Sequence, residues 1–207
     1  AYRRQRQMCI RDRLYYMPQT WTSDDTDAIE RLKIQEGTSL VYPASTMGSH
    51  VSAVPNHQVH RITPLHTRGV VAMAGSFGYE LDVTKMTDEE KEEVKSQVEF
   101  YKNIRRTIQF GDLYRLKSAF DSNEAAWMNI SKDGNNLVVS YVKKYAEANV
   151  LPKRLRLKAL DENSLYEVSE TGEVFGGDEL MYIGLDIGEL NGDYQAKSWA
   201  LRKIQEN

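Results

Sequence analysis

Three carboxylates, Asp24, Asp25 and Asp27, fall within four residues, between an aromatic, strand-like run and a run with helical spacing. Upstream, Leu14-Tyr15-Tyr16-Met17 is β-prone, and Pro18 marks the end of a strand or a kink in it. Downstream, Ala28, Ile29 and Leu32 share one helical face, with Glu30, Arg31 and Lys33 outside it. The spacing predicts a helix from about Asp25 to Gln35, capped by Ser23 or Asp24 and stopped by Gly37. A carboxylate at the carboxyl end of a parallel strand, just before the next helix, is where a (β/α)8 barrel places its catalytic groups. The same residues also suit plain capping, because Asp and Ser are common N-caps and the helix dipole favours acids in the first turn. Spacing alone leaves both readings open.

The rest of the chain carries two patterns. Gly48 to Val54 reads as a short buried strand ended by Pro55, and Thr63-Pro64 as the cap and first residue of a helix through Val70 and Ala74. Phe77, Tyr79, Leu81 and Val83 alternate as in a strand. Thr87 and Glu90 form a capping box for a long helix with Val94, Val98, Tyr101, Ile104 and Ile108 on one face, closed by Gly111. From about Leu113 short strands take over: Trp127 to Ser131 and Leu137 to Lys143 flank the turn Asp133-Gly134-Asn135-Asn136. Arg154 to Leu160, Ser164 to Val168, Glu179 to Leu185 and Ala196 to Ile204 complete an antiparallel set. Strand–helix units followed by a run of strands predict two domains, α/β and then all-β, the second a β-sandwich.

Composition narrows the function. No apolar run reaches the roughly 18 residues of a membrane span, and no apolar leader is visible, so the expected compartment is cytoplasmic. The lone Cys9 makes no intrachain disulfide and no multi-thiolate metal site. The net charge is −3, but residues 1–13 hold five of the arginines against one aspartate, so the remaining body is acidic and unsuited to nucleic acid. That first segment, AYRRQRQMCIRDR, reads as a non-native or artefactual tail, because RQRQMCIRDR resembles translated sequencing-adapter read-through and abuts Leu14 without a linker. His50, His57, His60 and His66 lie close in sequence and raise a metal site, since imidazole is a common ligand. With Pro55 and Pro64 among them and no Cys nearby, they are read instead as loop-stabilising or sugar-facing residues.

The stretches YYMPQTWTSDDTDAIERLKIQ and GTSLVYPASTMGSHVSAVPNHQ resemble the catalytic domain of the α-galactosidase family that includes the raffinose-type enzymes. GGDELM and GDYQAKSWALRK are similar to the closing strands of that family's C-terminal β-sandwich. The resemblance starts at Leu14 and implies about the last third of a (β/α)8 barrel over residues 14–112, then an antiparallel β-sandwich over 113–207. It implies a retaining glycoside hydrolase acting on α-galactoside oligosaccharides, with Asp24 as general acid/base, Trp21 lining the sugar site, and no cofactor or metal. The family's nucleophile lies in a Trp-Asp-Met-Asn-Arg strand, a run that does not occur here, so the fragment alone is expected to be inactive. An acid that holds its proton when substrate binds asks for a partly buried Asp24. A non-catalytic carbohydrate-binding module, an α-N-acetylgalactosaminidase and a raffinose-synthase-type galactosyl transferase stay open, as does whether the parent is a homo-oligomer.

Overall fold

The computed structural model describes residues 15–204, so the tail assigned to residues 1–13, with its Cys9, lies outside the described residues. Two layers of structure follow one another along the chain. In the first, Thr20 makes a parallel bridge with Met47 and leads into α1 (Ala28–Ser39), β1 (Gly48–Ser52), α2 (Leu65–Ala72) and β2 (Ser76–Glu80). β1 and β2 are parallel, in register from Gly48 opposite Ser76 to Ser52 opposite Glu80. Three parallel strand positions are thus joined by helical crossovers, the β/α alternation expected of this part of the chain.

Period two sets the faces of this layer. Ser49 and Val51 point to the helices, where Val51 packs with Leu65 and Ala72 and the Ser49 hydroxyl meets Gln35 Oε1 at 3.0 Å. Gly48, His50 and Ser52 therefore line the opposite face. α1 buries Ala28, Ile29, Leu32 and Gln35 along one stripe, as its spacing predicts, and also buries Arg31, whose guanidinium donates to Gly48 O at 2.8 Å. The long helix α3 (Asp88–Phe110) carries the expected Thr87/Glu90 capping box and packs Tyr101, Ile104 and Ile108 against Val138 of the second layer.

That second layer is a six-stranded sheet, β3 (Asp112–Lys117), β4 (Glu124–Ile130), β5 (Asn136–Lys143), β7 (Leu165–Val168), β8 (Val174–Gly176) and β10 (Gln195–Lys203). Its order is β3-β4-β5-β10-β7-β8, with every pair antiparallel. One face packs on the helices, with Ala125, Val142 and Ala196 against Ile29, Leu32, Val70 and Val71. The other buries Met128, Leu137, Val139 and Tyr141 beneath Leu155, Leu157, Leu180 and Ile187. At roughly 1.5–3 kcal/mol for each fully buried large apolar side chain, this double coverage gives the sheet most of its driving force.

Several expectations change. The second layer of the sandwich is slight among the described residues: only the two-residue strands β6 (Arg154–Leu155) and β9 (Leu185–Asp186), the helix α4 (Gly177–Tyr182) and loops cover the outer face. Within it, Glu179 to Leu185 is largely α4 rather than a strand. A Cβ on Gly177 would come within 2.0 Å of Asp161 O, so the chain turns there, and Asp178 and Glu179 sit at the favourable end of the helix. Tyr15 and Tyr16 are helical and exposed, so the β-prone run before Pro18 is no strand; β-propensity expresses packing on a sheet, and these rings have none. Both early helices begin late: α1 at Ala28 behind Asp27, and α2 at Leu65 behind Pro64, which takes the cap position expected of Thr63. No described helix is long and apolar enough to cross a membrane.

Candidate active site

Residues 23–27 use short polar side chains to hold their own backbone. Ser23 Oγ accepts from Asp25 N at 3.1 Å, and Asp25 Oδ1 accepts from Asp27 N at 3.0 Å. Asp27 is the N-cap of α1, 2% exposed, and its Oδ2 accepts from Ile29 N at 3.1 Å and Glu30 N at 3.0 Å while pairing with Arg61. The cap is therefore Asp27 rather than Ser23 or Asp24, because only a carboxylate one residue outside the first turn reaches both free N–H groups.

Asp24 is left for something else. It sits just past the Thr20 strand position with an exposed side chain, which corrects the expectation of a partly buried acid. Its Oδ1 accepts from Trp21 Nε1 at 3.1 Å, and its carbonyl accepts from Gln58 Nε2 at 3.3 Å. Trp21, 49% exposed, lies against the His50 imidazole with ring centroids 4.6 Å apart and planes tilted by 31°. His50 projects from β1 opposite Gly78, where any Cβ would approach Cδ2 to 3.2 Å, so the glycine makes room for the ring. Burial pushes the His50 pKa down; Glu80 at the end of β2 opposes this, and Arg31 adds to it.

Asp24 and Trp21, the two residues the sequence singles out, are brought together by the indole hydrogen bond, while the residues that surround them are not marked in the sequence. His50 falls within the strand read from Gly48 to Val54, and period two along β1 is the signal that puts it on the face away from the helices. Gln58, Glu80 and Arg61 were not singled out, and nothing local marks them. The other histidines separate: His57 and His60 are exposed in a loop, and His66 is an exposed residue of α2, 3.7 Å from Glu93. Among the described residues no group of three or more His, Cys, Asp or Glu side chains could hold a metal ion. Two cavities lie away from Asp24. One, of about 40 Å³, is under α1 beside Arg115 and Trp127; the other, of about 610 Å³, lies between loop residues 146–153 and 186–192.

Asp24 thus lies a few residues past the Thr20–Met47 bridge, its carboxylate held by the Trp21 indole N–H beside a half-exposed aromatic face. The Melibiase family model matches residues 10–111, and the model of the glycosyl hydrolase family 36 C-terminal domain matches residues 124–201. The chain belongs to glycosyl hydrolase family 36, the family of these α-galactosidases. Alpha-galactosidase AgaA of Geobacillus stearothermophilus is 58% identical over 193 residues, which are 93% of this chain and 26% of that protein. Alpha-galactosidase Mel36A of Lactobacillus acidophilus is 54% identical over 190 residues, 92% of this chain and 26% of its own length. The crystal structure of AgaA superposes with a TM-score of 0.89 at 58% identity, again over 92% of this chain and 26% of the other. Variants of AgaA have been crystallised with 1-deoxygalactonojirimycin, raffinose and stachyose. The chain thus spans about a quarter of the length of these relatives.

Proposed function

We propose that the enzyme to which this chain contributes removes terminal α-D-galactosyl residues from galacto-oligosaccharides of the melibiose and raffinose type, with retention, and that Asp24 is its general acid/base. The observation that carries the reading is how the three carboxylates divide their work. Asp27 is spent on a cap and an ion pair, and Asp25 on a backbone N–H, while Asp24 is exposed at a strand end with one side-chain partner. The complexes of AgaA with raffinose and stachyose support the substrate class.

A retaining glycosidase sets two carboxyl groups about 5 Å apart across the scissile bond. In the first step the nucleophile, carried by a part of the barrel outside this chain, attacks the anomeric carbon while Asp24 passes its proton to the leaving oxygen. In the second, Asp24 takes a proton from water as that water displaces the nucleophile. The Trp21 N–H on Oδ1 leaves Oδ2 as the oxygen that carries the proton. The indole face offers a wall on which sugar C–H groups stack.

The test is Asp24→Ala in the full-length enzyme. General acid/base help is worth about 10²- to 10⁴-fold, and a loss of that order is expected on natural galactosides. An aryl α-galactoside with a good leaving group should keep its first step, and azide should then restore turnover and yield an α-galactosyl azide. Near-parental rates on natural galactosides, or azide rescue in Asp25→Ala instead, would move the role along the motif.

A further inference from the structure

One loop touches both ends of the acid motif. Between β1 and α2, residues 56–61 close on themselves: Asn56 N donates to Arg61 O at 3.0 Å, His60 N donates to Asn56 O at 2.9 Å, and His60 takes a positive φ of 55°. Asn56 Oδ1 accepts from Gln58 N and Val59 N, and its Nδ2 reaches Thr26 Oγ1 at 3.3 Å. From this closed loop Gln58 donates to the carbonyl of Asp24, and Arg61 pairs with Asp27 and, at 3.4 Å, with Glu30. The loop therefore grips the segment at Asp24 itself and at Thr26, Asp27 and Glu30 just beyond it.

The antiparallel sheet closes over that grip. Arg61, 17% exposed, lies over the ring of Tyr194 at 5.5 Å, a cation–π contact from the residue just before β10. Tyr194 is held at φ 54°, a left-handed conformation that a bulky residue rarely takes, and it is pinned there from two sides. Its N–H donates to Lys144 O at 2.9 Å, and its carbonyl accepts from Thr67 Oγ1 of α2 at 2.6 Å. Tyr145 packs on it edge-on, at 5.8 Å between centroids. A backbone held against its preference by its surroundings is what a fixed reference point for another group requires.

We propose that Arg61 and Tyr194 are positioning residues for the acid/base loop, through which the antiparallel domain sets the delivery of the proton to the leaving group. The proposal rests on Asp24 being the acid/base. Neither residue touches substrate. They act through Asp27, whose N–H holds Asp25, and through the loop that carries Gln58.

The experiment compares kcat/KM, which reports the glycosylation step, on melibiose and on an aryl α-galactoside with a good leaving group, in the full-length enzyme. A displacement of about 1 Å costs on the order of 10²-fold when proton transfer matters, so Arg61→Ala and Tyr194→Ala should lose about 10- to 100-fold on melibiose. On the aryl substrate, which needs little protonation, they should change less than about threefold. Arg61→Lys and Tyr194→Phe, which keep the charge and the ring, should recover most of the loss. Gln58 is exposed, so Gln58→Ala leaves the packing intact and should show the same selective loss on a smaller scale. Equal loss on both substrates, following a fall in Tm, would reduce these residues to structural ones and overturn the proposal; so would no loss on either. Asp24→Ala runs alongside. If it is selective for melibiose and the Arg61, Tyr194 and Gln58 variants are not, positioning fails alone; if Asp24→Ala is itself unselective, the acid/base assignment fails.

Discussion

Asp27→Ala separates the structural work of the acidic motif from its chemistry, and its cost can be worked from the contacts. The side chain supplies the only N-cap of α1, accepting from two backbone N–H groups, and losing such a cap costs about 1 kcal/mol, within a range of 0.5–2. It also answers the Arg61 guanidinium. Breaking a fully buried pair costs about 3–5 kcal/mol, but Arg61 is 17% exposed and keeps Glu30, so a cost of about 2 kcal/mol is the better expectation. Together these come to about 3 kcal/mol, and for a chain of this size each kcal/mol moves Tm by roughly 2–4 °C, giving a fall of about 6–12 °C. Asp27→Asn keeps a capping oxygen and loses only the charge, so it should lie between the parent and Ala. Thermal unfolding of the chain followed by circular dichroism at pH 7 and low salt measures both. A fall under about 2 °C for Asp27→Ala, or Asn as costly as Ala, would refute the assignment of cap and ion pair as separate contributions.

The chain alone should show no turnover of an aryl α-galactoside above a matched blank, since Asp24 has no nucleophile partner in the sequence. Glu124, buried between Lys117 and Lys153, offers a pH test. Burial alone would push its carboxyl up, but hydrogen bonds from Lys117, Lys153 and Tyr141 more than offset this and leave it below the usual range. Its stabilisation is therefore full above the unfolded carboxylate value and lost as pH falls through the lower folded value, so Glu124→Gln should flatten the decline in stability that sets in as pH falls below about 5. Deleting residues 1–13 should leave Tm unchanged; a clear fall would show that the segment is part of the fold, with residues 10–13, where the family match starts, the first to test.

Local signals were the legible ones. The Asp133-Gly134 turn, with Gly134 at φ 72°, and the Thr87/Glu90 capping box appear where the residues place them, because each is decided within a few positions. The sheet was harder to read. β5 is buried on both faces from Leu137 to Lys143, so its residues run apolar without alternation, and nothing in such a run says which neighbour covers which side. α4 failed for the same reason: Leu180-Met181-Tyr182-Ile183 is too short and too uniformly apolar to show a period, and only the close approach of Gly177 to Asp161 decides the turn.

The site divides along the same line, and the division says where its chemistry is made. The β-prone run before Pro18 points to a strand ahead of Asp24, but the strand position is Thr20, paired with Met47; this pairing and the grip of Gln58, Arg61 and Tyr194 on the Asp24 loop depend on contacts between residues 27 to more than a hundred apart, which only folding creates. Its exposure is the further step. A general acid works in a setting that excludes water, and neither the β1 face that bears His50 nor the half-exposed Trp21 closes over Asp24. In the proposed enzyme both the nucleophile and the cover over Asp24 come from residues that this chain does not supply. A nucleophile brought within about 5 Å of Asp24 would itself begin to cover the exposed carboxyl, so in the proposed enzyme the catalytic pair and its drier surroundings are made together.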